Sequence, residues 1–302
     1  MGKIRILILG ATGMLGHKLF AYLSRNSAYS VYAAARSHAE LAGWLPEAMA
    51  GRVMEKFDAV DLDSVVRTIA AVRPDVVING VGIIKQAPTA KDPLAAITVN
   101  ALFPHRLAQV CQAAGARMIQ ISTDCVFDGS KGHYTESDIP NPLDLYGRTK
   151  LLGEVVDPHC LTLRTSIIGH ELRGHVGLID WFLQQEGKVS GFTKAIYSGL
   201  TTVELARVIR DYVIPQRERL QGLYHLSADP ISKYDLLNRV ATQYQKEITI
   251  EPDESIVADK SLDSSLFRLL TGYIPPSWPE LVARMHEDFC QSPYSLNVGT
   301  RG

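Results

Sequence analysis

Ile4-Arg5-Ile6-Leu7-Ile8-Leu9-Gly10-Ala11-Thr12-Gly13-Met14-Leu15-Gly16 is the stretch that decides the fold. Ile4 to Leu9 is short and almost continuously apolar, as a parallel strand covered on both faces must be. Three glycines follow, and Leu15 to Leu23 is amphipathic and reads as a helix. In this order Gly10 permits a tight turn, Gly13 lets backbone approach a pyrophosphate, and Gly16 lets the helix pack close to the sheet. The helix N-terminus then offers unpaired N–H groups and a positive dipole end to the phosphates, with Thr12, Met14 and Leu15 in the same cradle. An ordinary strand-to-helix turn does not need three glycines. The apolar run is far too short to span a bilayer, and it enters a glycine motif, so it reads as a strand and not as a signal peptide.

Outward from this unit, strands are expected at Ser30–Ala35, Val53–Phe57, Val76–Ile78, Met118–Ile121 and Leu161–Leu163. Helices alternate with them. Asp61 caps one over Leu62–Val72, and Pro93–Ala114 is a long helix that bends or restarts near Pro104. The alternation predicts an α/β fold with a Rossmann-type doubly wound parallel sheet. Beyond Ser166 the pattern loosens. Helices are expected over 178–185, over 202–213, from a Ser232 cap through Tyr244 and over 278–289, with a strand at 224–227. This half reads as a smaller, α-rich, interwoven C-terminal lobe, with substrate in the crevice at the carboxyl ends of the strands.

The chain has 302 residues, 31 basic and 32 acidic side chains and a net charge of −1. There is no basic block, so neither nucleic acid nor membrane is expected as a partner. Its four cysteines are scattered without C-x-x-C, which points to reduced thiols in a cytoplasmic protein and to no zinc site. The nine histidines show no metal-type pairing, so no metal is expected. His170 and His175, which flank a glycine in the crossover to the second lobe, read most simply as structural or surface residues, with contact to substrate as the lesser alternative.

The end of the second strand selects the dinucleotide. An acid there would bind the ribose 2′-hydroxyl of NADH, but the chain has Ala34-Ala35-Arg36-Ser37. Arg36 would pair with a 2′-phosphate and Ser37 would donate to it, which favours NADPH and leaves NADH open. Asp58 is either an acceptor for the adenine amino group or a turn residue. Asn79-Gly80-Val81 would lay backbone against the ribose and nicotinamide. On this basis residues 1–165 with roughly 190–225 form the cofactor domain. Residues 166–189 and 226–292 form the substrate lobe, and 293–302 a flexible tail.

Two further stretches carry chemistry. Ser122-Thr123-Asp124 ends the fifth strand, where a hydroxyl can bind a carbonyl oxygen as it becomes an alkoxide. Tyr146 and Lys150 are four apart, hence on one helix face. A phenol titrates near pH 10, and a nearby ammonium should draw that value down toward the working range of a general acid. No Gly-x-Ser-x-Gly elbow supports a hydrolase instead.

With Gly10, Gly13 and Gly16, Ser122 through Gly129, Pro142 through Glu154, Leu163-Arg164-Thr165-Ser166 and Pro275-Pro276-Ser277-Trp278 in place, the chain resembles extended short-chain dehydrogenases/reductases. Within them it is most similar to the dTDP-4-dehydrorhamnose reductase family. The resemblance implies Thr123, Tyr146 and Lys150 as the catalytic set, with Asn100 supporting the lysine. It implies NADPH-dependent reduction of a 4-keto group on a nucleotide-linked deoxysugar for polysaccharide precursors. Lys85, Gln86, Asp124, Cys125, Arg164 and Ser198 are the expected substrate contacts. Cys125 stands where the family commonly has tyrosine, and Gly82-Ile83-Ile84-Lys85-Gln86 replaces an aromatic, acidic loop, so the sugar differs from 4-dehydrorhamnose in this expectation. Members of the superfamily are often homodimers. The same fold also includes epimerases, dehydratases and NADP-binding regulatory subunits without turnover.

Overall fold

The structure is a computed structural model and describes residues 2–293 except 38, 40, 42, 45–46 and 87. The expected tail therefore lies, beyond Pro293, outside the described residues. Seven strands form one sheet: β1 (Ile4–Leu9), β2 (Tyr29–Ala34), β3 (Val53–Met54), β4 (Val76–Asn79), β5 (Arg117–Thr123), β6 (Cys160–Thr165) and, later in the chain, β11 (Gly222–His225). Their order is β11-β6-β5-β4-β1-β2-β3 and every pairing is parallel. The order reverses between β1 and β4, the switch point at which such sheets bind ligands.

The reason for the apolar run in β1 is visible in its packing. Ile6 and Ile8 enter one core with Leu15 and Leu19 of α1 (Met14–Leu23) and Leu205 of α7 (Thr202–Val208). Leu7 and Leu9 enter a second core, on the other face, with Val65 and Ile69 of α2 (Leu62–Val72) and Phe103 and Leu107 of α4 (Phe103–Ala113). Both faces are covered, so no polar alternation survives. Asp61 caps α2 as expected, accepting the Asp63 N–H.

β3 ends at Met54 and does not reach Phe57 as expected, because Lys56 takes φ 58° and breaks the ladder. The helix expected over 93–114 is α3 (Pro93–Ala96), a π-helical turn (Ile97–Leu102) and α4. The π turn sends the Phe103 N–H back to Thr98 just before Pro104, which has no N–H to give.

The remaining elements are α5 (Leu145–Leu152), β7 (Ile167–Ile168), α6 (Leu178–Gln184), β8 (Lys188–Phe192), β9 (Ala195–Tyr197), β10 (Leu200–Thr201), β12 (Ile231–Ser232), α8 (Lys233–Gln243), β13 (Thr249–Asp253), β14 (Ala258–Asp259), α9 (Ser265–Thr271) and α10 (Trp278–Gln291). The second lobe is thus less purely helical than its sequence suggests. β8 pairs with β13, and β9 pairs with β12 and β14. β9, in the segment expected with the cofactor domain, thus pairs with strands of the expected lobe and not with the large sheet. α7 and β11 stay with the large sheet.

Candidate active site

The glycine turn has the geometry an anion cradle needs. Gly10 takes φ 75°, and a Cβ there would come 2.8 Å from the backbone of Gly80. A Cβ on Gly16 would come 2.1 Å from the Gly10 carbonyl oxygen, so α1 sits directly on the end of β1. Gly13 is different. A Cβ there would meet only the Gly10 oxygen, at 3.4 Å, which leaves open space over the α1 N-terminus. No side chain caps that end and no acid occupies its first turn, so its donors are available to phosphate. Leu15 is buried, so its part here is backbone; Thr12 is half-buried at the rim.

Around this turn, Arg36 is exposed at the end of β2, and Ser37 accepts the Ala39 N–H at 3.2 Å. Asp58 is exposed and accepts the Val60 N–H at 3.0 Å, the turn role already open to it. Asn79 is buried, and its side chain donates to Gln120 at 2.7 Å and accepts the Val81 N–H at 3.1 Å. It therefore shapes the Gly80-Val81 turn from within.

The chemistry gathers where α5 meets the end of β5. Asp144 caps α5 by accepting the Gly147 N–H at 2.8 Å. A Cβ on Gly147 would lie 2.2 Å from the Cys125 carbonyl oxygen, so glycine there lets α5 dock against the turn Asp124–Val126. That docking sets Tyr146 beside Thr123, whose hydroxyl lowers the phenol's pKa by hydrogen bonding. Thr123 is buried, donates to Asp124 at 3.1 Å and accepts the Cys125 N–H at 3.1 Å. One turn on, Lys150 is buried and donates to the Ile121 carbonyl at 2.7 Å.

The titration of this pair departs from expectation. Burial pushes the Tyr146 phenol up, the Cys125 and Asp124 charges add to it, and the Thr123 hydroxyl only partly offsets them. The effect of burial exceeds the expected pull of the ammonium, which is bound to a backbone carbonyl. Burial also lowers Lys150 to about 8, with the Glu154 charge raising it in part. Asp124 is pushed up by burial, and the Cys125 thiol up to about 12 for the same reason.

Asn100 stands in the π turn and holds the loop after β4. Its carbonyl accepts the Ile83 N–H at 2.8 Å, and its amide donates to the Ile83 carbonyl at 3.0 Å and to Thr149 at 3.4 Å. Through Thr149 it touches the helix turn that bears Lys150. Lys85, exposed on that loop, pairs with Asp144 at 2.8 Å, and Gln86 is exposed beside it.

Two expected substrate contacts are corrected. Arg164 is buried against Glu154 through two bonds of 2.8 Å, lies 3.3 Å from the His225 ring nitrogen, and stacks over Phe127. Ser198 is buried and accepts the Leu262 N–H at 2.9 Å. Both are bound to groups within the protein. His170 is likewise internal, 2.6 Å from Asp180 and 2.8 Å from the Tyr244 hydroxyl. The pairing of Glu154 and His225 with Arg164 was not foreseen from the sequence, although Glu154 closes one of the stretches quoted above. Tyr197 belongs to the loop 197–201 that the sequence offered as a substrate contact, and its buried hydroxyl has no hydrogen-bond partner among the described residues. The cluster of metal-ligating types among the described residues, Asp157, His159 and Cys160, lies at the opposite, N-terminal end of β6.

Known proteins resemble this arrangement. The family model described as RmlD substrate binding domain matches residues 4–289. Methionine adenosyltransferase 2 subunit beta of Bos taurus is 37% identical over 153 residues, 50% of this chain and 41% of that protein. The chain thus spans less than half the length of the first curated relatives it matches. dTDP-4-dehydrorhamnose reductase of Aggregatibacter actinomycetemcomitans is 28% identical over 242 residues, 76% of each chain. The solved dTDP-4-dehydrorhamnose reductase of Bacillus anthracis, in complex with NADP, superposes with a TM-score of 0.76 at 22% identity, covering 95% of this chain and 99% of its own. No helix among the described residues is long and apolar enough to cross a membrane.

Proposed function

This chain belongs to the family of the RmlD substrate binding domain, and from that premise we propose that it reduces the 4-keto group of a nucleotide-linked deoxysugar with NADPH. The observation that carries the proposal is the meeting of Thr123, Tyr146 and Lys150 at the carboxyl end of β5, beside β4 and two strands from β1 and its glycine turn. Gly10, Gly13 and Gly16, with Arg36 and Ser37, would hold the dinucleotide, which supplies hydride when bound. The open N-terminus of α1 fits its pyrophosphate.

In this reading Tyr146 gives its proton to the sugar oxygen. Its raised pKa keeps the phenol protonated at neutral pH, which suits an acid in the reductive direction. Thr123 donates to the same oxygen as negative charge grows, a contribution on the order of 3 kcal/mol. The buried Lys150 ammonium supplies positive charge to stabilise the phenolate left behind. Lys85, Gln86, Asp124 and Cys125 line the approach for the sugar nucleotide. Residues 166–197 with 226–292 form the substrate side, and we place the protein in the cytoplasm, working as a homodimer.

The test is NADPH consumption with a panel of dTDP-, UDP- and GDP-linked 4-keto-6-deoxysugars. Tyr146→Phe should lower the rate by roughly 10²–10⁴ while still binding NADPH. The similarity to an adenosyltransferase subunit favours a second reading, a non-catalytic NADP-binding regulatory subunit. Tight NADPH binding without consumption of any ketone would decide for it. Retention of NAD through turnover would instead indicate an epimerase or dehydratase.

A further inference from the structure

Residues 170–177, between β7 and α6, form a strap that touches both sides of the glycine-turn crevice. On one side Gly177 lies against Met14, the first residue of α1, and a Cβ on it would come 2.6 Å from the methionine methyl. On the other side Arg173 donates to the Ala39 carbonyl at 3.1 Å, and the Ala39 N–H donates to Ser37 at 3.2 Å. Between these points Leu172 is buried in the same core as Leu15, Ala35 and Leu41.

The strap is held at its base by two carboxylates. Asp180 accepts the Glu171 N–H at 2.7 Å and binds the His170 and His175 rings at 2.6 and 3.2 Å. Glu171 accepts the Val176 and Gly177 N–H groups at 2.7 and 3.0 Å. Arg173 itself is exposed, and no carboxylate pairs with it among the described residues. A guanidinium has five N–H donors, and the Ala39 carbonyl takes one.

The geometry points to Arg173 as a specificity-determining residue, a second guanidinium that reads the 2′-phosphate of the dinucleotide opposite Arg36 and Ser37. This rests on the cofactor reading proposed above. A phosphate monoester presents three strong acceptor oxygens. The Arg36 fork engages two of them and Ser37 one, and since each oxygen accepts more than one hydrogen bond, acceptor capacity remains for a donor arriving from the strap. The hydrogen-bonded path from Ser37 through Ala39 to Arg173 fixes that donor at the end of β2, where the 2′-position of such a dinucleotide lies.

The test is calorimetric binding of NADP⁺ and NAD⁺ to the full chain, for the unaltered protein, Arg173→Ala, Arg173→Lys and Arg36→Ala. Arg173→Ala should weaken NADP⁺ by roughly tenfold or more, the effect of losing a hydrogen bond to a charged group, and change NAD⁺ less than about twofold. Arg173→Lys should keep part of the preference, and Arg36→Ala should show the same selective loss. Equal weakening of both dinucleotides in Arg173→Ala, or no change in either, would overturn the inference while leaving the cofactor reading intact. An unaltered protein that binds neither dinucleotide would overturn both.

Discussion

Lys150 has to hold a charge in a place that disfavours it. Burial brings its pKa down to about 8, close to the pH at which the protein would work, while Tyr146 is pushed upward and stays protonated. The two shifts fix the sign of the pH response. As pH rises through about 8, Lys150 loses its proton first, and the phenolate formed in the reaction loses its counter-charge. The rate constant kcat/KM should therefore be flat below about pH 8 and fall by up to roughly tenfold per unit above it, as a pH profile of NADPH oxidation will show. Tyr146 and Lys150 were picked out in the sequence by residue type and one-turn spacing, and Thr123 by its place at the end of β5; their roles remain the proposal that this profile tests. The direction of the tyrosine's shift was not legible, since it depends on how deeply α5 is docked.

At the scale of elements, the joint between α5 and β6 holds the site in register. Glu154 follows α5, Arg164 lies in β6, and their two-pronged pair is almost fully buried. Removing one partner strands a buried charge, so Arg164→Ala should cost about 3–5 kcal/mol in urea unfolding. A substrate-contacting arginine would instead raise KM with stability unchanged. Arg164 looked like a ligand for the sugar because a strand-end arginine beside a catalytic motif suits either role. Its partners, Glu154 ten positions before it and His225 on β11, meet it only through the fold. The small strands of the second lobe escaped notice for a related reason. β7, β10, β12 and β14 have two residues each, too few for a period to register, and their pairing comes from the surrounding chain.

At the scale of the molecule, the larger core does not stop at the lobe boundary. It runs from Ile6 and Ile8 in the sheet through Leu205 and Ile209 to Leu236, Trp278 and Leu281. Such continuity predicts one cooperative unfolding transition and not two separate ones, with far-UV circular dichroism and tryptophan fluorescence coinciding. NADP⁺ at about 100 times its Kd should move that single transition by about 2.7 kcal/mol. Two transitions, with only one shifted by NADP⁺, would show the lobes to be independent.

The sequence by itself determined the parallel sheet and the glycine turn at its switch point, and it set the candidate pair Tyr146 and Lys150 on one helix face. Each is written in local terms: an apolar run covered on both faces, glycines where a Cβ would collide, and side chains one helical turn apart. Only the tertiary structure decided which polar residues face the crevice and which are used internally, as Arg164, Ser198 and Asn79 are. It alone brought Arg173 to the end of β2, because a strap anchored by Asp180 and Glu171 spans a distance that no sequence spacing encodes.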